Sequence, residues 1–285
     1  MTETITNKYL RKYLDNVNDE NFKDFETELQ FSTLLIPESS NGQIPCLDFI
    51  GRAFVPLFTD LDEFKKVKKL RSYTPVAHDF DYYLDLIKSD RIPAYVINPE
   101  SEWLPITRNI AEGLNPFYFL DFERQVFTAK EIREIRDSID NEDLERYLKN
   151  NIETESLLRR LESADLLTLL LSFKKYSAEN GVVTTTDSIP LCLCQRNDKN
   201  YALLYTSDFN INIMTKNIYK YSQIVNFQYF AEKILIDDLD GIILNMDTDN
   251  IIIERESLRT YMRNLKCHIP QDYSGYLFPV GDGNE

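Results

Sequence analysis

The sequence predicts an α/β fold, with features of the α+β class, built from two homologous domains. Three observations lead to this prediction: short apolar runs that alternate with amphipathic helical segments, matching patterns at a fixed spacing, and a composition typical of a packed chain. Each domain is expected to hold a mixed sheet with helices packed on it. Because a duplicated domain often mimics a homodimer, we expect a pseudo-two-fold arrangement of the two.

Composition excludes several functional classes. The chain has 285 residues, 43% of them hydrophobic, and its 17 Phe and 17 Tyr against 8 Gly argue against disorder. Its 47 acidic and 32 basic side chains leave a formal net charge of −15. Because sequence-independent binding to nucleic acid requires clustered Lys and Arg, we expect no nucleic-acid partner. The densest apolar run, residues 166–173, is far too short to span a membrane, so we expect no membrane partner.

Cysteine usage and the first residues indicate the compartment. The N-terminal segment lacks the apolar stretch of a signal peptide. The four cysteines, Cys46, Cys192, Cys194 and Cys267, are too sparse for a disulfide framework, so we expect a cytoplasmic protein. Cys192 and Cys194 fall on one face of a predicted strand, where they are poorly placed to pair with each other. We interpret them as buried thiols and expect no metal site.

The chain repeats itself at a spacing of 147 residues. Placed against each other, residues 54–106 and 201–253 match without a gap. Nine of these pairs are identical, and the two segments share a pattern of hydrophobic classes. This pattern predicts two copies of one domain.

Upstream of residue 54 the spacing shrinks, as loops of different length require. Residues 34–36 are paired with 169–171 at a spacing of 135, and residues 7–16 with 141–150 at a spacing of 134. The C-terminal tail is expected either to wrap back onto a domain or to fold onto a partner. The predicted organisation is copy one over 1–115, an aromatic and acidic linker over 116–134, copy two over 135–262 and the tail over 263–285.

The first half of each copy is predicted from apolar spacing. Residues 7–16 and 20–29 carry apolar stripes at helical spacing. Residues 33–36 form a short continuous apolar run that is typical of a buried strand. Strands over 44–49 and 53–58 follow, joined by a turn.

The second half of each copy begins at a helix cap. A helix is predicted after Asp60, because Asp60 and Glu63 form a capping-box pattern. The next helix starts at Phe80, from which apolar residues fall on one helical face, and the second copy repeats this stripe from Phe227. The copy closes with two strands and a short helix, over residues 94–98, 104–107 and 108–114.

Three short motifs mark strand ends in copy one. They are Leu-Leu-Ile-Pro37, Phe58-Thr-Asp60 and Ile97-Asn-Pro99. Together they resemble the SseB N-terminal-domain family, a mostly bacterial group of small cytoplasmic α/β domains with no established enzymatic activity. Copy two departs from the pattern, since Ser172 and Met246 stand where copy one has proline. The resemblance implies the fold of both copies and no particular activity.

No residue pattern points to catalysis. The chain has two histidines, His78 and His268, and no glycine-rich phosphate loop. Ser172-x-x-Lys175 has the spacing of an acylating serine but lacks the companion motifs. Asp247-x-Asp249 lies in a predicted turn, where aspartate serves the backbone. We therefore expect no catalytic residue and no cofactor.

The candidate interaction residues come from four features. Two asparagines recur at the same strand end, either as turn formers or as equivalent binding positions. The single tryptophan is a candidate for lining a pocket, the predicted linker is aromatic, and an acidic run follows the helix that starts at Phe227. The full set is Asn98, Asn245, Trp103, Phe117, Tyr118, Phe119, Asp237, Asp238 and Asp240.

Three function hypotheses follow. The first is a non-catalytic binding or regulatory module that acts through a protein partner, as a monomer with an internal pseudo-dimer or as a weak homodimer. The second is an acidic immunity or inhibitor protein that blocks a basic target. The third is a small-molecule sensor, for an amino acid for example, or an uncharacterised enzyme with its site between the copies.

Overall fold

The computed structural model describes residues 5–18, 20–49, 52–88, 94–114, 127–150, 152–172, 174–211, 221–265, 273 and 275–280. The chain divides into two compact units, unit 1 over Met1–Leu120 and unit 2 over Asp121–Glu285. Both units combine helices with mixed β-sheets, which confirms the predicted α/β class.

Unit 1 alternates helices and short strands along its described residues. Its helices are α1 (Lys8–Leu14), α2 (Phe22–Gln30), α3 (Leu61–Lys66), α4 (Phe80–Lys88) and α5 (Arg108–Gly113). Its strands are β1 (Thr33–Glu38), β2 (Leu47–Phe49), β3 (Arg52–Leu57), β4 (Thr74–Asp79), β5 (Ala94–Ile97) and β6 (Leu104–Thr107).

The strands of unit 1 run in the spatial order β6-β5-β3-β1-β4. Strands β3 and β5 are parallel, and their connection crosses over through α3, β4 and α4. Strands β6 and β4 lie antiparallel to β5 and β1 at the two ends. An antiparallel bridge between Leu35 and Phe58 joins β1 to β3, and β2 pairs with the start of β3.

Unit 2 contains its own helices and strands. Its described helices are α6 (Ala129–Asp137), α7 (Glu142–Leu148), α8 (Thr154–Glu162), α9 (Phe227–Ile236) and α10 (Arg255–Asn264). Its described strands are β7 (Asp165–Leu170), β8 (Val183–Thr184), β9 (Leu193–Arg196), β10 (Lys199–Tyr205), β11 (Tyr221–Asn226), β12 (Gly241–Leu244), β13 (Ile251–Glu254) and β14 (Tyr276–Pro279).

The sheet of unit 2 contains the strand order of unit 1. Its order is β13-β12-β10-β7-β11-β14-β8, and β9 pairs with β10 as β2 pairs with β3. The strand directions also agree with those of unit 1. Strands β10 and β12 are parallel, as β3 and β5 are, and the pairs β13-β12, β10-β7 and β7-β11 are antiparallel. Strands β14 and β8 extend the sheet beyond the five shared positions.

The structure corrects the alignment of the first strands. The sequence alignment matched Leu34 with Leu169. In the structure, Thr33 of β1 lies opposite Asp79 of β4, and Asp165 of β7 lies opposite Asn226 of β11, which is the residue equivalent to Asp79. Thr33 is therefore equivalent to Asp165, and Leu34 is equivalent to Leu166. The predicted spacing of 135 is therefore wrong by three residues. Strand β7 contains too many leucines for hydrophobic class to set the register, and an odd shift sends each side chain to the opposite face.

Two segments assigned outside the copies contribute to the packing of unit 2. Helix α6 begins inside the segment 116–134 expected to link the copies, and its Ile132 is buried with Leu167 and Leu203. Strand β14 lies in the expected tail and pairs antiparallel with β11, and its Phe278 joins the same cluster. The described part of the tail thus wraps back onto unit 2.

Each sheet places alternate side chains on opposite faces. In unit 1, Leu34 and Ile36 join the core formed with α1, α2, α4 and α5. Leu35 and Phe58 face the other way and pack with Phe64 of α3. No helix in the described part of the chain is long and apolar enough to cross a membrane.

Candidate functional site

In the described part of the chain, each unit has one pair of parallel strands, β3 and β5 in unit 1 and β10 and β12 in unit 2. In sheets with this topology, ligands bind beyond the carboxyl ends of such strands. Thr59 and Asn98 lie just beyond the ends of β3 and β5 in unit 1, and Thr206 and Asn245 lie just beyond the ends of β10 and β12 in unit 2. We call these two regions the strand-end surfaces of units 1 and 2.

The two recurring asparagines join neighbouring strands. The Oδ1 atom of Asn98 accepts a hydrogen bond from the backbone N–H of Thr59 at 3.1 Å, and its amide donates to Thr59 Oγ1 at 3.1 Å. Asn245 makes the same two contacts with Thr206, at 2.9 and 3.0 Å. Asn98 and Asn245 are 1% and 0% exposed and both have a φ of 49°. Their amides therefore bind the fold itself.

Trp103 closes the turn that Asn98 opens. Its N–H donates to the carbonyl of Asn98 at 3.1 Å, and its ring meets that of Phe54 edge-on at 5.0 Å. Trp103 has a φ of 51°, a left-handed conformation that is rare for a bulky residue. Asn250, at the equivalent position of unit 2, has a φ of 54° and the same bond to Asn245. The same turn therefore explains the left-handed φ of Trp103 in unit 1 and of Asn250 in unit 2.

A second pair of asparagines, at the starts of α1 and α7, ties these helices to the sheets of units 1 and 2. Asn7 Nδ2 donates to the carbonyls of Thr33 and Thr59 at 2.7 and 2.8 Å. Asn141 donates to the carbonyls of Asp165 and Thr206 at 2.8 and 2.7 Å. The identity of Asn7 and Asn141 was visible in the sequence, but their partners were not.

A charged network covers the strand-end surface of unit 1. Arg11 of α1 contacts the carboxylates of Asp60 at 2.5 Å and Glu63 at 3.3 Å. Glu63 is 3% exposed and also accepts from Lys66 at 2.7 Å and Ser101 at 2.7 Å. Asp60 caps α3 as predicted, since it accepts from the N–H groups of Asp62 and Glu63. The hydrogen bond that the Lys66 ammonium donates to Glu63 raises the pKa of Lys66.

The equivalent network in unit 2 is built around a carboxylate with neutral partners. Glu145 of α7 stands where unit 1 has Arg11, and Asn210 stands where unit 1 has Glu63. Glu145 accepts from Thr206, Ser207 and Asn210 at 2.8, 2.9 and 2.7 Å. Thr248 donates to Asn210 at 3.2 Å, as Ser101 donates to Glu63. The cation of one unit is thus replaced by an anion in the other.

Phe209 is the most exposed large apolar residue among those described. Its side chain is 97% exposed on the 3-10 turn Asp208–Asn210. Asp208 pairs with Arg136 at 2.7 Å, and Asn210 belongs to the Glu145 network. Unit 1 has Asp62 at the same position. Sequence comparison of the units could have found this difference, but only the structure shows that the ring is uncovered.

The acidic run after α9 serves the fold of unit 2. Asp237 pairs with Lys233 at 2.7 Å, and Asp238 has a φ of 56° at the end of the helix. Asp240 is 5% exposed and accepts from the backbone N–H of Asn200 at 2.8 Å. The three side chains do not share one exposed acidic face. Phe117, Tyr118 and Phe119 lie outside the described residues.

An arginine at the start of the last helix of each unit binds the end of an earlier helix. Arg255 is 5% exposed and donates to the carbonyls of Ile234, Leu235 and Leu239 at 3.0–3.1 Å. Arg108 donates to the carbonyl of Ile87 at 2.7 Å. The shared arginine lies two residues beyond the aligned stretch, so the sequence comparison missed it.

His78 lies on β4. Its Nε2 atom is 3.2 Å from a carboxylate oxygen of Glu38, and its ring stacks on Tyr82 at 3.8 Å. The imidazole is 28% exposed. Strand β4 was not predicted, so this contact was not foreseen.

The described residues also line one open recess of about 370 Å³ on unit 2. It lies between Asp143, Arg146, Tyr147, Asn150 and Arg160, and the Arg160 guanidinium stacks over Tyr147 at 4.5 Å. Within the described residues, no group of three or more His, Cys, Asp or Glu side chains could hold a metal ion.

The two aspartates of the Asp247-x-Asp249 pattern have partners within the fold. Asp249 accepts from Asn245 Nδ2 at 2.9 Å, and Asp247 accepts from the Tyr205 hydroxyl at 3.3 Å. Both side chains thus belong to the turn that follows β12.

Comparison with models of known protein families gives no match for this chain, and comparison with curated proteins gives none either.

Proposed function

We propose that this chain is a non-catalytic, cytoplasmic binding module that engages a protein partner through the strand-end surface of unit 2. The observation that carries the proposal is the exposed ring of Phe209, 97% accessible on a turn whose two other residues are both bound. A rigid, exposed aromatic side chain is the usual anchor of a protein interface.

The turn presents the ring at low conformational cost. Asp208 is held by Arg136, which also donates to Ser222 Oγ at 2.9 Å. Asn210 donates to Thr206 Oγ1 at 2.7 Å and to Ser207 Oγ at 3.0 Å in addition to Glu145. Because its neighbours are fixed, Phe209 loses little freedom on binding beyond its own rotamers.

The charges around Phe209 favour a basic partner. The strand-end surface of unit 2 carries the carboxylates of Asp208, Glu145, Asp247 and Asp249. The whole chain has a formal net charge of −15. The partner is therefore a protein with an apolar pocket rimmed by Lys or Arg, and its association rate falls as salt rises. An acidic immunity or inhibitor protein that blocks a basic target would bind its partner in this way.

Two contacts support a binding role over a catalytic one. The polar groups at the strand ends, Asn98 and Thr59 in unit 1 and Asn245 and Thr206 in unit 2, bind one another. These side chains form hydrogen bonds within the fold. In open α/β sheets, the same positions beyond the ends of parallel strands hold the groups that bind ligands.

We also propose that the two units are tandem copies of one SseB-like domain. Support comes from their common strand order and from contacts that recur at equivalent positions, such as Asn7 and Asn141 on the first strand. The cytoplasmic location is supported by free thiols at Cys46, Cys192 and Cys194.

The test compares Phe209→Ala with a matched variant of unit 1. Wild type, Phe209→Ala and Asp62→Ala are immobilised and exposed to lysate of the source organism, and bound proteins are quantified by mass spectrometry. Each enriched protein is then purified and titrated calorimetrically against the three forms. We expect binding to weaken by about 30-fold or more in Phe209→Ala, as for loss of an aromatic anchor, and to persist in Asp62→Ala.

Two results would count against the proposal. The first is a directly binding partner whose affinity is the same for wild type and Phe209→Ala. The second is the absence of any protein that binds wild type more tightly than Phe209→Ala at low salt.

A further inference from the structure

The outer strands of the two sheets differ in how their free backbone edges are protected. A strand at the edge of a sheet exposes N–H and C=O groups that can pair with another chain, and proline there removes a donor. The strands compared are β4 and β6 in unit 1 and their equivalents in unit 2, which are β11, an inner strand flanked by β7 and β14, and β13, an outer strand.

Proline blocks the β4 edge. Leu35 and Phe58 exchange two backbone hydrogen bonds at 2.8 and 2.9 Å, so the backbone of Leu35 points towards β3. Leu35 is opposite Ala77, and in an antiparallel pair the backbone of Ala77 must then point outward. Pro75, two residues earlier, also points outward and has no N–H to offer.

Proline occupies the equivalent outward position of β6. The N–H of Arg255 bonds the carbonyl of Asp240 at 2.8 Å, so Ile252, three residues earlier, points its backbone away from β12. Strands β5 and β6 pair in the same register, with Pro105 at the position of Ile252. Proline therefore removes an outward backbone donor from both β4 and β6.

Unit 2 has no proline at either position. Ser222 replaces Pro75, and its outward edge is occupied by β14, where Ser222 pairs with Phe278. Ile252 replaces Pro105, is 41% exposed and has a backbone N–H directed outward. Among the described residues, no strand pairs with this side of β13.

We propose that β13 pairs with β13 of a second copy of this chain, antiparallel across a two-fold axis at Ile252. The strand is complementary to itself in this register. Ile252 lies opposite its own counterpart, with which it exchanges two main-chain hydrogen bonds, and Glu254 lies opposite Asn250.

The side chains also fit this occupant. The Glu254 carboxylate is held by Lys199 at 2.8 Å and by the Tyr201 hydroxyl at 3.1 Å, and it faces a neutral amide of the second copy. No like charges are opposed along the strand, and the two Ile252 side chains contact each other. Because β13 has only four residues, the dimer is weak and forms only as the protein concentration rises.

The site is separate from the Phe209 turn and does not rest on the proposed function. The test is sedimentation velocity over a range of concentrations for wild type, Ile252→Pro and Pro105→Ile. Unit 1 already accommodates proline at this position, so Ile252→Pro keeps the fold, which circular dichroism and thermal unfolding verify. Ile252→Lys serves as a second variant that leaves the backbone N–H in place and opposes two charges.

We expect wild type to shift from monomer to dimer with concentration and both Ile252 variants to stay monomeric. Pro105→Ile should open a second edge and produce species larger than a dimer. Hydrogen exchange at the Ile252 amide should slow as concentration rises, and Phe209→Ala should dimerise as wild type does. A wild type that is monomeric throughout, or an Ile252→Pro variant that dimerises equally, would overturn the proposal.

Discussion

The amide of Asn98 bridges to Thr59 across two parallel strands, with Oδ1 accepting from the Thr59 N–H at 3.1 Å and Nδ2 donating to Thr59 Oγ1 at 3.1 Å. The same residue bends the chain, since its φ is 49° and its carbonyl accepts from Ser101 and Trp103. One side chain thus joins β3 to β5 while its backbone starts the turn to β6. Asn245 does the same in unit 2.

Replacing either asparagine should destabilise its unit strongly. Asn98→Ala leaves the buried Thr59 N–H without an acceptor and puts alanine in a left-handed conformation, so we expect a loss of about 2–4 kcal/mol in the free energy of unfolding. Trp103 is the single tryptophan, so its fluorescence during urea unfolding reports on unit 1. Asn98→Gly relieves the backbone and should lose about 1 kcal/mol less. A change below about 0.5 kcal/mol in Asn98→Ala would contradict this role.

The arginines that bind helix-end carbonyls, Arg108 and Arg255, should stabilise the ends of α4 and α9. Arg255→Met leaves the carbonyls of Ile234, Leu235 and Leu239 without this donor, and we expect a loss of about 3 kcal/mol. Arg255→Lys should recover part of it, because an ammonium cannot span three carbonyls as a planar guanidinium does. Thermal unfolding followed by circular dichroism measures both, with the exposed Arg159→Met as control. Equal stability of the Met and Lys variants would argue against a geometric role.

Exchanging the charges of the two strand-end networks should reveal their coupling. Arg11→Glu places a carboxylate beside Asp60 and Glu63, so we expect unit 1 to lose about 2–3 kcal/mol of stability. Adding Asp60→Ser and Glu63→Asn reproduces the residues of unit 2 and should recover most of that loss. Urea unfolding followed by Trp103 fluorescence checks both. Additive effects of the three substitutions would show that the network is not coupled.

Alkaline pH should destabilise unit 1 through its buried tyrosines. Burial raises the pKa values of Tyr83 and Tyr95, whose hydroxyls donate to the carbonyls of Leu34 and Tyr83. Above about pH 10 the unfolded chain loses these protons while the folded chain keeps them, so the free energy of unfolding falls as pH rises. Each tyrosine adds a slope of about 1.4 kcal/mol per pH unit. Urea unfolding of wild type and Tyr83→Phe from pH 8 to 11 tests this, since the variant should have the shallower slope.

Thiol reactivity should separate the described cysteines. Burial raises the pKa of the Cys192 thiol to about 12, whereas Cys46 is exposed. Because the thiolate is the reactive form, iodoacetamide at pH 8 should modify Cys46 and leave Cys192 unmodified until the chain unfolds. Peptide mass spectrometry distinguishes the two sites, and labelling in urea provides the control. Rapid labelling of Cys192 in the native protein would show that the site opens.

Much of the fold could be predicted because local signals were strong. The stripe from Phe80 predicted α4, and Asp60 predicted the start of α3. Strand β4 was missed because Thr74–Asp79 lies at the edge of a sheet, where half-exposed residues break the alternation of a strand. Helix α6 was assigned to a linker, although Thr128 and Glu131 form a capping box that the sequence already contained.

The candidate sites were harder to predict, because their meaning depends on contacts between distant segments. The recurrence of Asn98 and Asn245 was visible at a spacing of 147, but their burial was not. The substitution of Asp62 by Phe209 could also be read from the alignment. The contacts of Arg11 with Glu63 and of Glu145 with Asn210 could not be predicted. Each of them forms because a helix packs against a turn that is distant in sequence, and no local pattern specifies that packing.

The reversed charges of the two networks also bear on how this chain avoids misfolding. Repeated domains in one polypeptide risk exchanging equivalent elements while they fold. If α7 docked on the sheet of unit 1, Glu145 would face the carboxylates of Asp60 and Glu63. If α1 docked on unit 2, Arg11 would lose its ion pairs with Asp60 and Glu63 and would meet the neutral amide of Asn210 instead. Like-charge repulsion therefore disfavours α7 on the sheet of unit 1, and the loss of two ion pairs disfavours α1 on the sheet of unit 2.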